Sequence, residues 1–97
     1  MKNTHYYGLL TKCIMYSTHC QLIGVKPEGQ SLYLLVDFNK IYPTDVKHKQ
    51  LRIIESLMPG DVFEYQNQDP LNIIRNVSLD EKIADFKKKY YELQKSR

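Results

Sequence analysis

Two cysteines and a histidine lie close together in the sequence and are the first candidates for metal chemistry. Cys13, His19 and Cys20 all carry ligand atoms, and His5 could join them. Structural zinc sites pair their cysteines two to four residues apart, whereas six residues separate Cys13 from Cys20. We therefore expect two ordinary strand residues with free thiols, and no metal site.

Catalytic signatures are missing from the sequence. It contains no G-x-S-x-G nucleophile turn, no H-E-x-x-H pair, no glycine-rich phosphate loop and no DxD-type carboxylate pair. The four glycines stand singly at positions 8, 24, 29 and 60, where a turn or bend explains each one. We predict a protein that is not an enzyme and that needs no cofactor.

Tyrosine is the residue type that could contribute binding chemistry. The chain has eight tyrosines and no tryptophan, and a tyrosine can pack with its ring or stack on a base. The net charge is only +3, although the first fifty residues carry six lysines against three acidic residues. This balance permits contact with a polyanion but does not require it.

A strand, a helix and a second strand form the unit that must position these side chains. Alternation in Ser31–Phe38 places every second residue on one face, beginning with Leu32. Thr44–Met58 changes to helical spacing, and Asp61–Gln66 alternates again after Pro59-Gly60. The apolar side of the predicted helix comprises Val46, Gln50, Ile53, Ile54, Leu57 and Met58.

Three further strands complete the predicted sheet. Tyr6–Tyr16 is long, and its Gly8 indicates a bulge or a sharp bend. His19–Lys26 should form a hairpin with the third strand, because Pro27-Glu-Gly-Gln30 is a strong turn signal. Asn67–Pro70 is a polar loop before the fifth strand, Leu71–Val77. The element order is therefore β-β-β-α-β-β.

The last segment predicts an amphipathic helix. Ser78 and Glu81 have the spacing of a capping box, and helical spacing continues to about Lys95. A narrow apolar seam consists of Leu79, Ile83, Phe86, Tyr90 and Leu93. Two alternatives stay open for this seam: it folds back onto the sheet, or it stays exposed and binds a protein partner.

Size and hydropathy indicate one domain, with residues 1–78 forming its β part and residues 79–97 its terminal helix. No apolar run approaches the length of a membrane span, and the N-terminus lacks the apolar core of a signal peptide. A cytoplasmic location is therefore expected.

The element order, the helix before strand four and the entry turn Leu57-Met-Pro-Gly-Asp-Val62 resemble the OB-fold family. The resemblance covers Tyr6–Val77 and implies an all-β barrel with helices (β+α), a five-stranded, partly open Greek-key barrel. The chain looks like a member of the single-stranded-DNA-binding branch of this family, or like a replication accessory protein with this fold. It is similar in kind to the small OB-like partner of the primase-polymerase carried by staphylococcal cassette elements, which are mobile genetic elements.

The resemblance also implies where a nucleic acid would bind. In OB folds the ligand lies on strands two and three and on the loops beside them. This implies an outward surface with Tyr33 and Leu35, and the nucleic-acid-binding candidates are Tyr33, Tyr16, Lys12 and Lys26. The loop between strands four and five has no Lys or Arg and contains Asp69, unlike a strong single-strand binder.

The leading functional expectation is a non-enzymatic accessory protein of DNA replication or processing. It would act through a polymerase or primase partner, with weak or partner-assisted contact to single-stranded DNA. The alternatives are a stand-alone single-stranded-DNA-binding protein and a protein–protein adaptor with no nucleic-acid role.

Overall fold

The computed structural model describes residues 6–40, 44–68, 71–78 and 83–95. The predicted order β-β-β-α-β-β and the terminal helix are both present. The elements are β1 (Tyr6–Met15), β2 (His19–Val25), β3 (Ser31–Asp37), a single 3₁₀ turn (Phe38–Lys40), α1 (Thr44–Ser56), β4 (Val62–Gln68), β5 (Leu71–Asn76) and α2 (Ala84–Lys95).

The five strands form one antiparallel sheet in the order β3-β2-β1-β4-β5. A closed barrel would require its two outer strands, β3 and β5, to pair, and within the described ranges the sheet stays open there. The coarse prediction of a small β+α fold is thus confirmed. β4 also extends into the predicted polar loop, because Asn67 and Gln68 pair through their backbones with Asn72 and Leu71.

β1 is the strand that holds the two halves of the sheet together. Its first part, Tyr6–Leu9, pairs with β4, and its second part pairs with β2. The predicted irregularity lies between Leu10 and Lys12, not at Gly8. Gly8 has a packing role instead, since a Cβ there would collide with the side chain of Leu32.

The main core lies on the inner face of the sheet, beneath α1. It receives side chains from all five strands and from the helix: Leu10, Cys20, Leu22, Leu32, Leu34, Val36, Phe38, Ile54, Leu57, Phe63, Tyr65 and Ile74. The two edge strands, β3 and β5, both contribute to this cluster. Met58 was predicted on the apolar side of α1, but the helix ends at Ser56 and Met58 is 66% exposed.

A second, smaller core lies on the outer face, where α2 covers β1 and β4. Leu9, Val62 and Val77 pack there against Ile83 and Phe86. Neither helix is long and apolar enough, over its described residues, to cross a membrane.

Ser78, the predicted helix cap, has its hydroxyl hydrogen-bonded to β4. Its hydroxyl accepts from the amide of Val62 at 2.8 Å and lies 3.2 Å from the carbonyl oxygen of Val62. The side chain is thereby committed to β4, and α2 begins only at Ala84. Glu81, the other half of the predicted box, lies outside the described residues.

Candidate nucleic-acid interface

An exposed tyrosine and a lysine stand in one row across the outer face of the sheet. Tyr33 on β3 is opposite Ile23 on β2, and Ile23 is opposite Lys12 on β1. Directly opposed residues in antiparallel strands point to the same face, so the three side chains are neighbours. Tyr33 is 60% exposed, which leaves its ring available for stacking.

The adjacent row of the same face is apolar at both ends. Leu35 is opposite Gln21, and Gln21 is opposite Ile14. Leu35 is 49% exposed and Ile14 is half-buried. The outward orientation predicted for Tyr33 and Leu35 is confirmed, and together the two rows form a broad surface that is mostly aromatic and aliphatic.

A second aromatic platform lies at the β1–β2 turn. The rings of Tyr16 and His19 are stacked, with centroids 4.4 Å apart and planes 16° from parallel. The backbone holds them there, because the Tyr16 amide donates to the His19 carbonyl at 2.8 Å. The Thr18 hydroxyl lies 3.1 Å from Nδ1 of His19 and helps to fix the imidazole.

Sequence reasoning identified Tyr16 but missed its partner His19. The signal was available, since the two residues flank the short turn Ser17-Thr18 and must therefore meet across the hairpin. His19 is opposite Asp37, so it lies on the same outer face as Tyr33. The two aromatic platforms thus belong to one surface.

The charges on this surface nearly cancel. Lys12 contributes one cation, while Asp37 contributes one carboxylate at the opposite end. That carboxylate accepts from the amide of Asn39 at 2.9 Å, which fixes it at the end of β3. A surface of this kind offers stacking but little phosphate neutralisation.

Lys26 lies away from the other nucleic-acid candidates. It follows β2 at the end opposite to Tyr16 and, with Tyr6 and Tyr65, borders a hollow beside the β2–β3 turn. The Tyr6 and Tyr65 rings stack there, with their centroids 5.3 Å apart. Burial raises the pKa of the Tyr65 hydroxyl, and the nearby Tyr6 and Glu28 raise it further.

Comparison with protein families, with curated proteins and with solved structures finds no match for this chain. Its site is therefore interpreted from its own geometry.

The partner-binding candidates that the structure describes lie against the sheet. Ile83 and Phe86 are 3% and 7% exposed, and Tyr90 is half-buried beside them. Leu79 and the side chain of Leu93 lie outside the described residues. The structure thus shows the docked alternative for these residues. With α2 docked, only a small part of Ile83 and of Phe86 stays open to a partner.

The cysteines and His19 point to opposite sides of the sheet. Cys13 and Cys20 are free thiols on the inner face, whereas His19 is on the outer face. In the described ranges no three His, Cys, Asp or Glu side chains come together as metal ligands, and His5 lies outside those ranges. Burial raises the pKa of Cys13 and raises that of Cys20 to about 12, so neither thiol is activated.

Proposed function

We propose that this chain is a non-enzymatic, OB-type accessory protein of DNA replication or processing. It contacts single-stranded DNA weakly through the outer face of β1, β2 and β3, and it relies on a protein partner for productive binding. The observation that carries the proposal is the pairing of two aromatic platforms on one open face: Tyr33 on β3, and the Tyr16–His19 stack at the β1–β2 turn.

A core shared by the two edge strands supports the OB-type interpretation. Leu34 on one outer strand and Ile74 on the other share a single core, although the two strands do not pair in the described ranges. This arrangement resembles a partly open barrel with α1 beneath its open side. The outward face of the second and third strands is then the natural position for a ligand.

The chemistry of the face favours single strands over duplexes. The bases of a single strand are free to stack on aromatic rings, and each stack contributes about 1–3 kcal/mol whatever the base. Duplex readout instead requires a helix or a ribbon that enters a groove. Exposed side chains on a broad sheet face, such as Tyr33, suit the first mode.

The charge balance favours partner-assisted binding over a stand-alone protein. Lys12 is the cation aligned with Tyr33, and Asp37 offsets it on the same face. For single strands the logarithm of the binding constant changes by about 0.7 per neutralised phosphate for each tenfold change in salt. One contact therefore predicts only a two- to threefold loss of affinity between about 50 and 200 mM salt. A stand-alone binder with many contacts would lose far more.

Fluorescence anisotropy with a labelled oligothymidylate tests the proposal directly. Tyr33→Ala should weaken binding roughly 5- to 150-fold, which corresponds to about 1–3 kcal/mol for one lost stack. Tyr91→Ala is the matched control, because Tyr91 is 52% exposed and belongs to α2, not to the strands that carry the two platforms. Equal affinities of the two variants would exclude Tyr33 from the site and remove the main support for the proposal.

The partner requirement needs a second arm. The titration is repeated with a purified replicative polymerase or primase from the same cell, and the proposal expects an affinity for DNA above that of either protein alone. A steep salt dependence without any partner would instead favour the stand-alone alternative. Absence of DNA binding in both settings would leave the adaptor interpretation.

A further inference from the structure

A groove beside the β2–β3 turn has no role in the proposed DNA contact. It consists of two adjoining hollows of about 190 and 300 Å³, and Tyr7 and Pro27 line both of them. The smaller hollow has the stacked Tyr6 and Tyr65 on its wall. The larger one lies between the turn and α2, where Ile83 and Phe86 form its apolar floor.

The turn that divides the groove is well fixed. The Gly29 amide donates to the Lys26 carbonyl at 2.9 Å, and the Lys26 amide donates to the Gln30 carbonyl at 2.8 Å. Gly29 has a φ of +85°, a conformation that glycine adopts without steric cost. Pro27 therefore stands as a rigid ridge between the hollows and is not a loose loop tip.

Among the described residues that line it, each hollow has one positive and one negative side chain. Lys26 and Glu28 border the smaller hollow, while Lys89 and Asp85 border the larger one. In the described part of the chain, no ion pair joins any of these four charges to another residue. These four charges are therefore available to a ligand, and over the described lining they sum to zero.

This charge balance selects the class of ligand. A nucleic acid or an anionic membrane surface would meet two carboxylates as well as two ammonium groups, so it gains little from the groove. A cofactor-sized molecule generally occupies a single cavity of roughly 300–1,000 Å³; the larger hollow only reaches the lower end of that range, and Pro27 divides it from the smaller one. Two small apolar hollows with charges of both signs suit two side chains of one polypeptide.

We infer that this groove is a docking site for an extended segment of a partner protein that carries two apolar side chains flanked by charges of both signs. One side chain enters the Tyr6–Tyr65 hollow and the other enters the hollow over Ile83 and Phe86. This inference rests on the partner-dependent part of the proposed function, and it places that partner at the end of the sheet away from Tyr16 and His19.

The site also explains how α2 could serve a partner without leaving the sheet. Phe86 is almost fully buried and still lines the larger hollow, so a ligand touches α2 while the helix remains docked. The groove then depends on α2 being in place. The β2–β3 turn and the part of the terminal segment with Ile83 and Phe86 form the groove together, so neither one forms it alone.

The test is an NMR titration of the ¹⁵N-labelled full chain with a defined panel of peptides. Each hexapeptide contains one Lys, one Glu and two Phe separated by none, one or two residues, and the matched peptide has Ser for both Phe. The expected result is a saturable shift at the groove residues with a dissociation constant below about 1 mM for one Phe spacing, and no shift with the Ser peptide. If no spacing binds at that level, the inference is overturned.

Surface variants separate the groove from non-specific binding. Lys89→Glu should weaken the peptide roughly two- to fivefold, as expected for one exposed charge contact. Lys88→Glu is the matched control, because Lys88 is exposed on the same helix and does not line the groove. Equal losses for the two variants would contradict the site. Pro27→Ala, which removes the shared ridge, should weaken every binding peptide while the melting temperature confirms folding.

Two competitor probes decide the ligand class. N-acetylphenylalaninamide should bind far more weakly than the peptide, since it fills one hollow only. A hexathymidylate should not displace the peptide, because neither hollow is lined by Tyr33, Tyr16 or His19. Equal binding of the amino-acid amide, or displacement by the oligonucleotide, would overturn the polypeptide assignment. The anisotropy result for Tyr33→Ala is unaffected by either outcome, so failure of the groove and failure of the DNA contact can be distinguished.

Discussion

The side-chain oxygen Oε1 of Gln50 accepts a hydrogen bond from the backbone amide of Ile74 at 2.7 Å. Both residues are buried, at 3% and 0% exposed. Ile74 lies on the edge strand β5, which has no further strand beside it in the described sheet. A glutamine of α1 therefore supplies the acceptor that an additional strand would supply in a closed barrel.

Removing this acceptor should destabilise the protein. Gln50→Leu keeps the side-chain volume but leaves the buried Ile74 amide without a partner, which costs about 1–3 kcal/mol. Urea denaturation measures the change, and Arg52→Ala on the exposed side of α1 should stay within about 0.5 kcal/mol. A Gln50→Leu variant as stable as the unmodified protein would show that water reaches this amide.

The stability of the protein should fall at alkaline pH. An unfolded cysteine ionises near its ordinary pKa of 9.0. In the folded chain, burial first and the neighbouring Cys13 second raise the pKa of Cys20 to about 12. A hydrogen bond with the Val36 backbone has a weaker, opposite effect. The unfolded chain therefore loses this proton first. The contribution of Cys20 is present in full below pH 9 and is lost as the pH rises toward 12.

Equilibrium unfolding between pH 8 and 10.5 checks this prediction. Cys20→Ala should show a shallower loss of stability with pH than the unmodified protein, whatever its stability at pH 8. Cys13 and Tyr65 also have raised pKa values, so some slope should remain in the variant. Identical slopes would mean that the Cys20 thiol is as accessible in the folded chain as in the unfolded one.

Docking of α2 can be measured by truncating its main anchor. Phe86 is buried against Leu9 and Val62, so Phe86→Ala should cost up to about 3–5 kcal/mol, the usual range for a buried phenylalanine. Tyr91→Ala on the exposed side of the same helix should cost about 0.5 kcal/mol or less. If both variants unfold at the same urea concentration, the seam is free in solution and the exposed alternative for a partner gains support.

The spacing of apolar residues was enough to predict the strands and α1, because for each segment only one type of secondary structure places its apolar residues on a single face that can be buried. Met58 shows the limit of this reasoning: its spacing fits the helix, but the chain leaves the helix two residues earlier to make the Pro59-Gly60 turn, where Gly60 has a φ of +96°. Such a difference at an element end depends on local hydrogen bonds, here the Met58 amide to the Asp61 carboxylate at 2.9 Å.

Contacts between distant segments were less accessible to sequence reasoning. Ser78 fits a capping box in sequence, yet its hydroxyl bonds to Val62 on a strand 16 residues away. Gln50 was placed on the apolar side of α1 by its spacing, but its partner Ile74 depends on how the helix crosses the sheet. The groove beside Pro27 arises from α2 lying next to the β2–β3 turn, and neither segment indicates the other.

The two aromatic platforms predict a dependence of DNA affinity on oligonucleotide length. His19 and Ile23 are four residues apart on β2, and Ile23 is level with Tyr33, so the platforms are separated by roughly 13 Å along the strands.

A dinucleotide spans at most one platform, whereas a hexanucleotide reaches both even at a stacked rise of 3.4 Å. For the hexanucleotide, Tyr33→Ala and Tyr16→Ala should each weaken binding. The dinucleotide can use either platform, so the substitution at the weaker platform should lower its affinity by about twofold or less. Competition against a labelled hexathymidylate, read by anisotropy, gives both affinities. Equal sensitivity of the two lengths to both substitutions would show that the strand does not run from one platform to the other, and the DNA path across β2 and β3 would have to be abandoned.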